Sequence, residues 1–442
     1  MTNPFDIQCT EWLPPFDMES AEGYTFADIK IIVNGRFATE LEDFYSQSLR
    51  RGMYVSAYPL ALFFAANWWR LRWEPAFFKD DPEWRIRHSL AAIGEGYAWP
   101  DISFASDGEF ILVTTRGTEY STTSPVRYIA DFAKWVPADV FETTISECVE
   151  KVLARLAATN KDRTELETIW KDVCMERADT HAALWRRLEA LAGYDPDEAP
   201  EAFVQELFEA GENTGWATIQ ELVAASRDRA IKDLKLLQDA VQECGVDFRI
   251  ADFERIAADI RPSITDAAMP PWKRAYNVAK TARSNWGLDR QPLSNRQLAE
   301  VIGIKKNVLE NATGPGSELK APYSASSNSR DQRQSRLILN RKLVTSRRFS
   351  ACRLIGDRFY GQEGDRISAA TDTSTIRQKF QRAFAQEMLC PFDALMDFLS
   401  SDMPTDDDIE DAAYHFQVSS RLVHATLVNH HVLPRETMEE FF

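Results

Sequence analysis

Runs that read as β-strands fall only within the first 116 residues of this chain, and from Asp139 onward apolar residues recur at helical spacing. That contrast sets the expected class as α+β: a mixed N-terminal part with a short antiparallel sheet, a helical middle and a mostly helical C-terminal part. Phe26-Ala-Asp-Ile-Lys-Ile-Ile-Val33 reads as a strand closed by Asn34-Gly35. Ile102–Ala105 and Phe110–Thr115 flank Ser106-Asp107-Gly108, and Asp-Gly between two β-rich runs predicts a hairpin. Ser56 to Trp73 and Asp139 to Leu156 read as helices. The aromatic residues Phe63, Phe64, Trp68, Trp69, Trp73, Trp84, Tyr97 and Trp99 are expected to form a core rather than a base-stacking platform. Gly94-Glu-Gly96 is too short for a phosphate loop.

Four segments are expected: a mixed domain over 1–158, a helical domain over 159–265, a basic region over 266–334 and a C-terminal domain over 335–442. In the second, Thr164 and Glu167 have capping-box spacing, Gly193-Tyr-Asp-Pro196 stops a helix, and one long helix is predicted from Ala217 to Cys244. A boundary is expected near Pro262 and Pro270-Pro271, and the Gly- and Ser-rich stretch from Gly314 to Asn328 reads as a linker.

Charge is unevenly spread. The formal net charge is −17, yet Trp272 to Arg358 holds 18 Lys and Arg against 6 Asp and Glu, about +12, leaving about −29 for the rest. The basic stretch either docks on acidic parts of the same chain or meets an external anionic partner. No apolar run approaches the ~18–20 residues needed to span a bilayer, so no membrane partner is expected. Met1 to Thr10 lacks the features of a secretory signal, and the six cysteines are scattered without C-x-x-C spacing. Both point to a reducing, cytoplasmic setting.

Within the basic stretch, Ser294 and Gln297 can cap a helix, and Leu298, Ala299, Ile302, Gly303, Ile304, Val308 and Leu309 fit two short helices around a glycine turn. A helix-turn-helix could place its second helix in a DNA major groove. DNA is therefore a candidate partner for residues 272–358. Its candidate contacts, or those of another anionic partner, are Arg296, Lys305, Lys306, Arg341, Lys342, Arg347 and Arg348. An αα-hairpin packed on the C-terminal domain gives the same pattern.

The run Arg347-Arg-Phe-Ser-Ala-Cys-Arg-Leu-Ile-Gly-Asp357 resembles the start of the active-site helix of ImmA/IrrE-type metallopeptidases, where Arg-Phe-Ser/Thr leads into A-H-E-x-G-H. In such a helix two His four residues apart bind zinc, and the Glu beside the first activates the metal-bound water. Aligned on Arg348-Phe349-Ser350 and Gly356, the first His position holds Arg353, the Glu position Leu354 and the second His position Asp357. Phe380-Gln-Arg-Ala-Phe-Ala-Gln-Glu-Met-Leu-Cys-Pro391 resembles the family's second segment, and Phe380 stands where its third ligand, a Glu, would be. Phe416-Gln-Val-Ser419 resembles the turn of a short helical pair that closes the family's domain. The resemblance covers roughly residues 335 to 437 and implies a mostly helical, zincin-like C-terminal domain. Arginine does not deprotonate in proteins and leucine cannot take a proton, so no catalytic residue, metal ligand or cofactor is expected.

His415, His424, His430 and His431 show no i, i+4 pair, and Cys352 and Cys390 read as small apolar core residues that fall near each other. The resemblance implies a non-catalytic interaction or regulatory protein with a protein partner, in bacterial stress response, mobile-element control or phage defence, with the old substrate groove available to a peptide. Two alternatives stand beside it. One is a DNA-binding regulator, for which a salt-dependent gel shift discriminates. The other is a metallopeptidase with atypical ligands, for which stoichiometric zinc discriminates.

Overall fold

A computed structural model describes residues 3–14, 20–76, 81–120, 124–161, 163–265, 269–311, 321–328, 335–361, 364–399 and 403–434. The fold is α+β. The chain forms two compact units, one over Met1–Val204 with Thr373–Thr375, the other over Gln205–Asp372 with Ile376–Phe442.

In the first unit the strand Phe26–Val33 buries Ala27, Ile29, Ile31 and Val33 and turns the intervening residues outward, as its alternation requires. It pairs antiparallel with Phe5–Trp12, Met53–Ser56 and Arg36–Phe37. The hairpin Asp101–Ser106 and Phe110–Arg116 forms where Asp-Gly placed it, and its second strand pairs with Phe132–Pro137. Asp107 Oδ1 accepts hydrogen bonds from the Glu109 and Phe110 amides, which fixes the turn. Phe5, Phe64, Phe104 and Phe141 meet at ring distances of 5.4 to 6.3 Å in the core. Phe63, Trp68, Trp69 and Trp99 are buried with them, so no stacking platform is exposed by these rings.

The helix expected from Ser56 to Trp73 is two, Ala57–Ala66 and Trp68–Trp73. Asn67 separates them, its backbone N–H and its side-chain amide both donating to the Phe63 carbonyl. Thr164 caps Glu165–Ala178 by accepting from the Glu167 amide, and Gly193 ends Thr180–Ala192 in the left-handed conformation at φ +85°.

The second unit is built around a four-stranded antiparallel sheet in the order Val246–Asp247, Arg336–Ile338, Ser324–Ser327, Ile367–Ala370. The stretch read as a linker thus contains a central strand; residues 314–320 of it lie outside the described residues. Its serines work as ladder supports, with Ser324 Oγ accepting from the Asn340 amide and Ser327 Oγ from the Arg336 amide. The predicted long helix is Trp216–Ser226 and Ala230–Cys244, broken where Arg227 takes φ +50°. Pro262 lies inside the helix Phe253–Thr265, one turn from its end. The short helical pair is present: Asp406–Phe416 ends at Gln417 with φ +55°, and Ser419 caps Ser420–Asn429. No helix among the described residues is long and apolar enough to cross a membrane.

Candidate functional site

Two helices of the second unit carry the segments singled out by resemblance, Val344–Tyr360 (the site helix) and Ile376–Leu389 (the bracing helix). They pack closely at Gly356, where an added Cβ would lie 2.7 Å from Phe384 Cγ. Only a residue without a side chain lets the helices approach this far. Phe384, Cys352, Leu354 and Ile355 are all buried in the surrounding core.

On the inward face of the site helix stands a buried polar network. Asp357 is fully buried. Its Oδ1 accepts from Arg377 Nε at 2.6 Å and Gln381 Nε2 at 2.8 Å, and its Oδ2 accepts from Arg377 Nη2 at 2.7 Å. Arg377 also reaches Asp365 at 2.9 Å. Burial alone would raise the Asp357 carboxyl. The Arg377 guanidinium and the bonds from Ser368 and Gln381 outweigh it and hold the group below its ordinary value. Burial likewise opposes charge on Arg377, but the Asp357 carboxylate keeps that guanidinium above its ordinary value.

One turn earlier, Arg353 donates through one nitrogen to the Thr371 carbonyl and to Gln378 Oε1. Burial, with Arg382 nearby, pushes its pKa down to about 9, so it stays charged at neutral pH. Leu354 is core. Phe380 does not join these groups by a polar contact: its ring lies 4.6 Å from that of Tyr360, and the bracing helix supplies Arg377, Gln378 and Gln381 to positions 353 and 357 instead. The arrangement balances two carboxylates against two guanidiniums. It leaves Asp357, the one residue in that face with oxygens suited to a metal, engaged by an arginine. Among the described residues no group of three or more His, Cys, Asp or Glu is placed to hold a metal ion.

Side chains of the same unit occupy the sheet edge beside this network. Ile367–Ala370 is the sheet edge beside this network, and all four of its residues are buried. The Ala369 carbonyl accepts from Gln378 and Gln381, and the Ile367 carbonyl accepts from Thr218 Oγ1 at 2.6 Å. An added strand needs those carbonyls free.

The basic stretch is spent largely inside its own unit. Arg347 and Arg348, predicted as surface contacts, are buried. Arg347 donates to the carbonyls of Leu309, Glu310, Arg341 and Lys342, and Arg348 donates to the Leu293 carbonyl and Asn295 Oδ1. They are the posts on which the two short helices Asn295–Val301 and Lys306–Glu310 are mounted. Those helices form as their sequence specifies, with a complete Ser294/Gln297 capping box and Gly303 at φ +65° in the turn. The second spans only five residues, little more than one turn. Arg296, Lys305, Lys306, Arg341 and Lys342 do reach the surface, though Arg296 pairs with Glu300, Lys306 with Glu310 and Arg341 with Asp372. Lys280–Asp393 and Arg290–Asp397 likewise join basic residues to acidic ones of the same unit.

The C-terminal histidines do not converge: His430 stacks on Phe392 at 3.7 Å and on Tyr276 at 5.1 Å, while His415 stacks on Phe398 at 4.5 Å. Cys352 and Cys390 are both buried thiols, and burial raises the first to about 12. Comparison with protein-family models, with curated proteins and with solved structures finds no match.

Proposed function

We propose that residues 335–437 are a degenerate ImmA/IrrE-type metallopeptidase domain and that the protein works without catalysis, as a cytoplasmic interaction or regulatory protein in bacterial stress response, mobile-element control or phage defence. One observation carries the reading: the second His position is an aspartate locked by two hydrogen bonds from Arg377, and the first is a buried arginine. A cation at this place would face two guanidiniums. The close Gly356–Phe384 packing, which serves the fold rather than a metal, fits the same reading.

A protein partner suits the surface elsewhere on the second unit. A cleft of about 720 Å³ is lined by Phe398, Tyr414, His415 and Val418, and Tyr414 is 88% exposed. Exposed aromatic side chains around a concavity are the composition of an interface.

The test is metal content together with activity. Full-length protein purified from zinc-supplemented cells should hold far less than one zinc per chain and leave unfolded casein intact. One zinc per chain, lost on Asp357→Asn and accompanied by cleavage, would refute the proposal.

A further inference from the structure

The outward face of the helix Asp406–Phe416 carries one sign of charge. Asp406, Asp407, Glu410 and Asp411 are exposed, and the helix contains no lysine or arginine. Among the described residues none of these four carboxylates is in an ion pair. Elsewhere in the same unit exposed acids are answered: Asp393 pairs with Lys280, Asp397 with Arg290, Glu310 with Lys306 and Asp372 with Arg341. Tyr414 continues the acidic face, since 407, 411 and 414 recur at helical spacing and Glu410 lies one turn before it.

Asp411 and Tyr414 also line the cleft of about 720 Å³, together with Phe398 and His415. The cleft is preformed. Gln417 ends the helix in the left-handed conformation, and the Val418 amide donates to the Ala413 carbonyl at 2.9 Å, which fixes both of those residues where they line it. His415 stacks on Phe398 at 4.5 Å, and Phe398 meets Phe416 edge-on at 6.1 Å. Leu343, two residues before Thr345 of the cleft wall, is 68% exposed.

We infer that this cleft takes a short basic segment of a partner protein. One large apolar side chain of the segment seats against Tyr414 and Phe398, and flanking lysines or arginines meet Asp407, Glu410 and Asp411. The inference rests on the non-catalytic interaction reading proposed above. Charge selects the partner's chemistry. Four unanswered carboxylates repel nucleic acid, anionic lipid and acidic peptides. A purely apolar segment would desolvate the carboxylates beside the cleft without pairing them. A basic segment with an apolar anchor satisfies both halves of the surface. The anchor in the cleft supplies affinity, and the charges supply encounter rate and selection among partners.

The experiment is fluorescence anisotropy of the full-length chain with a rhodamine-labelled probe peptide in which one tryptophan is flanked on both sides by lysines. The expected result is saturable binding that weakens with added salt. It should be about tenfold weaker when serine replaces the tryptophan, and absent when glutamate replaces the lysines. Tyr414→Ala should also weaken it about tenfold, and Asp407→Asn with Asp411→Asn should weaken it and flatten its salt dependence. Glu206→Gln with Glu209→Gln, which neutralises exposed acids of the helix Glu201–Thr214, should leave it unchanged. All these positions are exposed, so the variants keep the fold, which circular dichroism checks. Binding that survives Tyr414→Ala, or that falls equally on neutralising Glu206 and Glu209, would overturn the inference. So would a concentration-dependent dimer in sedimentation velocity that Tyr414→Ala abolishes, which would give the cleft to a second copy of this chain. A probe that binds as expected and is also cut, read by mass spectrometry, would refute the non-catalytic reading and leave the cleft's partner as inferred.

Discussion

Replacing Arg377 by leucine tests the buried network most directly. The side chain is enclosed and supplies two of the hydrogen bonds that hold Asp357, at 2.6 and 2.7 Å, and the 2.9 Å contact to Asp365. Its removal takes the opposite charge away from two buried carboxylates, and breaking a buried pair in this way costs about 3–5 kcal/mol. The pH dependence carries its own sign. In the wild type Asp357 sits below its ordinary value of 3.8, so its contribution is present above that pH and is lost as pH falls through the lowered folded-state value. Without Arg377, burial is left as the dominant effect and the folded-state value moves above 3.8. The carboxyl then takes up a proton on folding, and the defect shrinks as pH falls from 7 toward 4. Urea unfolding followed by circular dichroism measures the loss. Hydrogen exchange of peptides from Val344–Tyr360 locates it in the unit that carries the pair. A loss under 1 kcal/mol, or one constant over that pH range, would refute the reasoning.

Gly356→Ala should destabilise by about 1–3 kcal/mol in the same unfolding assay, because the new methyl meets the Phe384 ring at overpacking distance. Ser294→Ala removes the capping box of Asn295–Val301 and should cost about 1 kcal/mol, read by thermal unfolding. Arg348→Ala, which strips donors from the Leu293 carbonyl and Asn295, should lower stability by more than Lys305→Ala and Lys306→Ala together, since both lysines are exposed; equal effects would argue against the mounting role. Duplex DNA at low salt should give no gel shift, and a shift weakened by salt and by Lys305→Ala would restore the nucleic-acid reading.

The sequence was most legible where one local rule governed. The run closed by Asn34-Gly35 placed Phe26–Val33, Asp107-Gly108 placed the hairpin, and Ser294 with Gln297 placed a helix start. It was least legible where tertiary contacts decide. Ser324–Ser327 carries no β-branched or aromatic residue, so its composition reads as linker; the ladder on both sides and the bonds to Ser324 and Ser327 make it a strand. Arg347 and Arg348 are surface residues by type, and nothing local announces that the Leu309 and Glu310 carbonyls engage the first and the Leu293 carbonyl and Asn295 side chain the second. At the site, resemblance singled out Arg353, Leu354 and Asp357, whereas nothing local marked the residues that partner them. Arg377 and Gln381 stand four apart on a helix, one face presenting donors, which is the counterpart that a buried aspartate demands.

The margin of the second sheet at Ile367–Ala370 has a consequence for association. Exposed strand margins recruit further strands from any chain that offers one, and many proteins deter this with charge or a covering loop. Here amide and hydroxyl side chains from two helices act as a surrogate neighbouring strand, satisfying the outward carbonyls from within. A newcomer would have to evict Gln378, Gln381 and Thr218 together, and Gln381 cannot leave without loosening its hold on Asp357. Insulation against runaway strand pairing and neutralisation of the buried acid are thereby properties of the same few atoms.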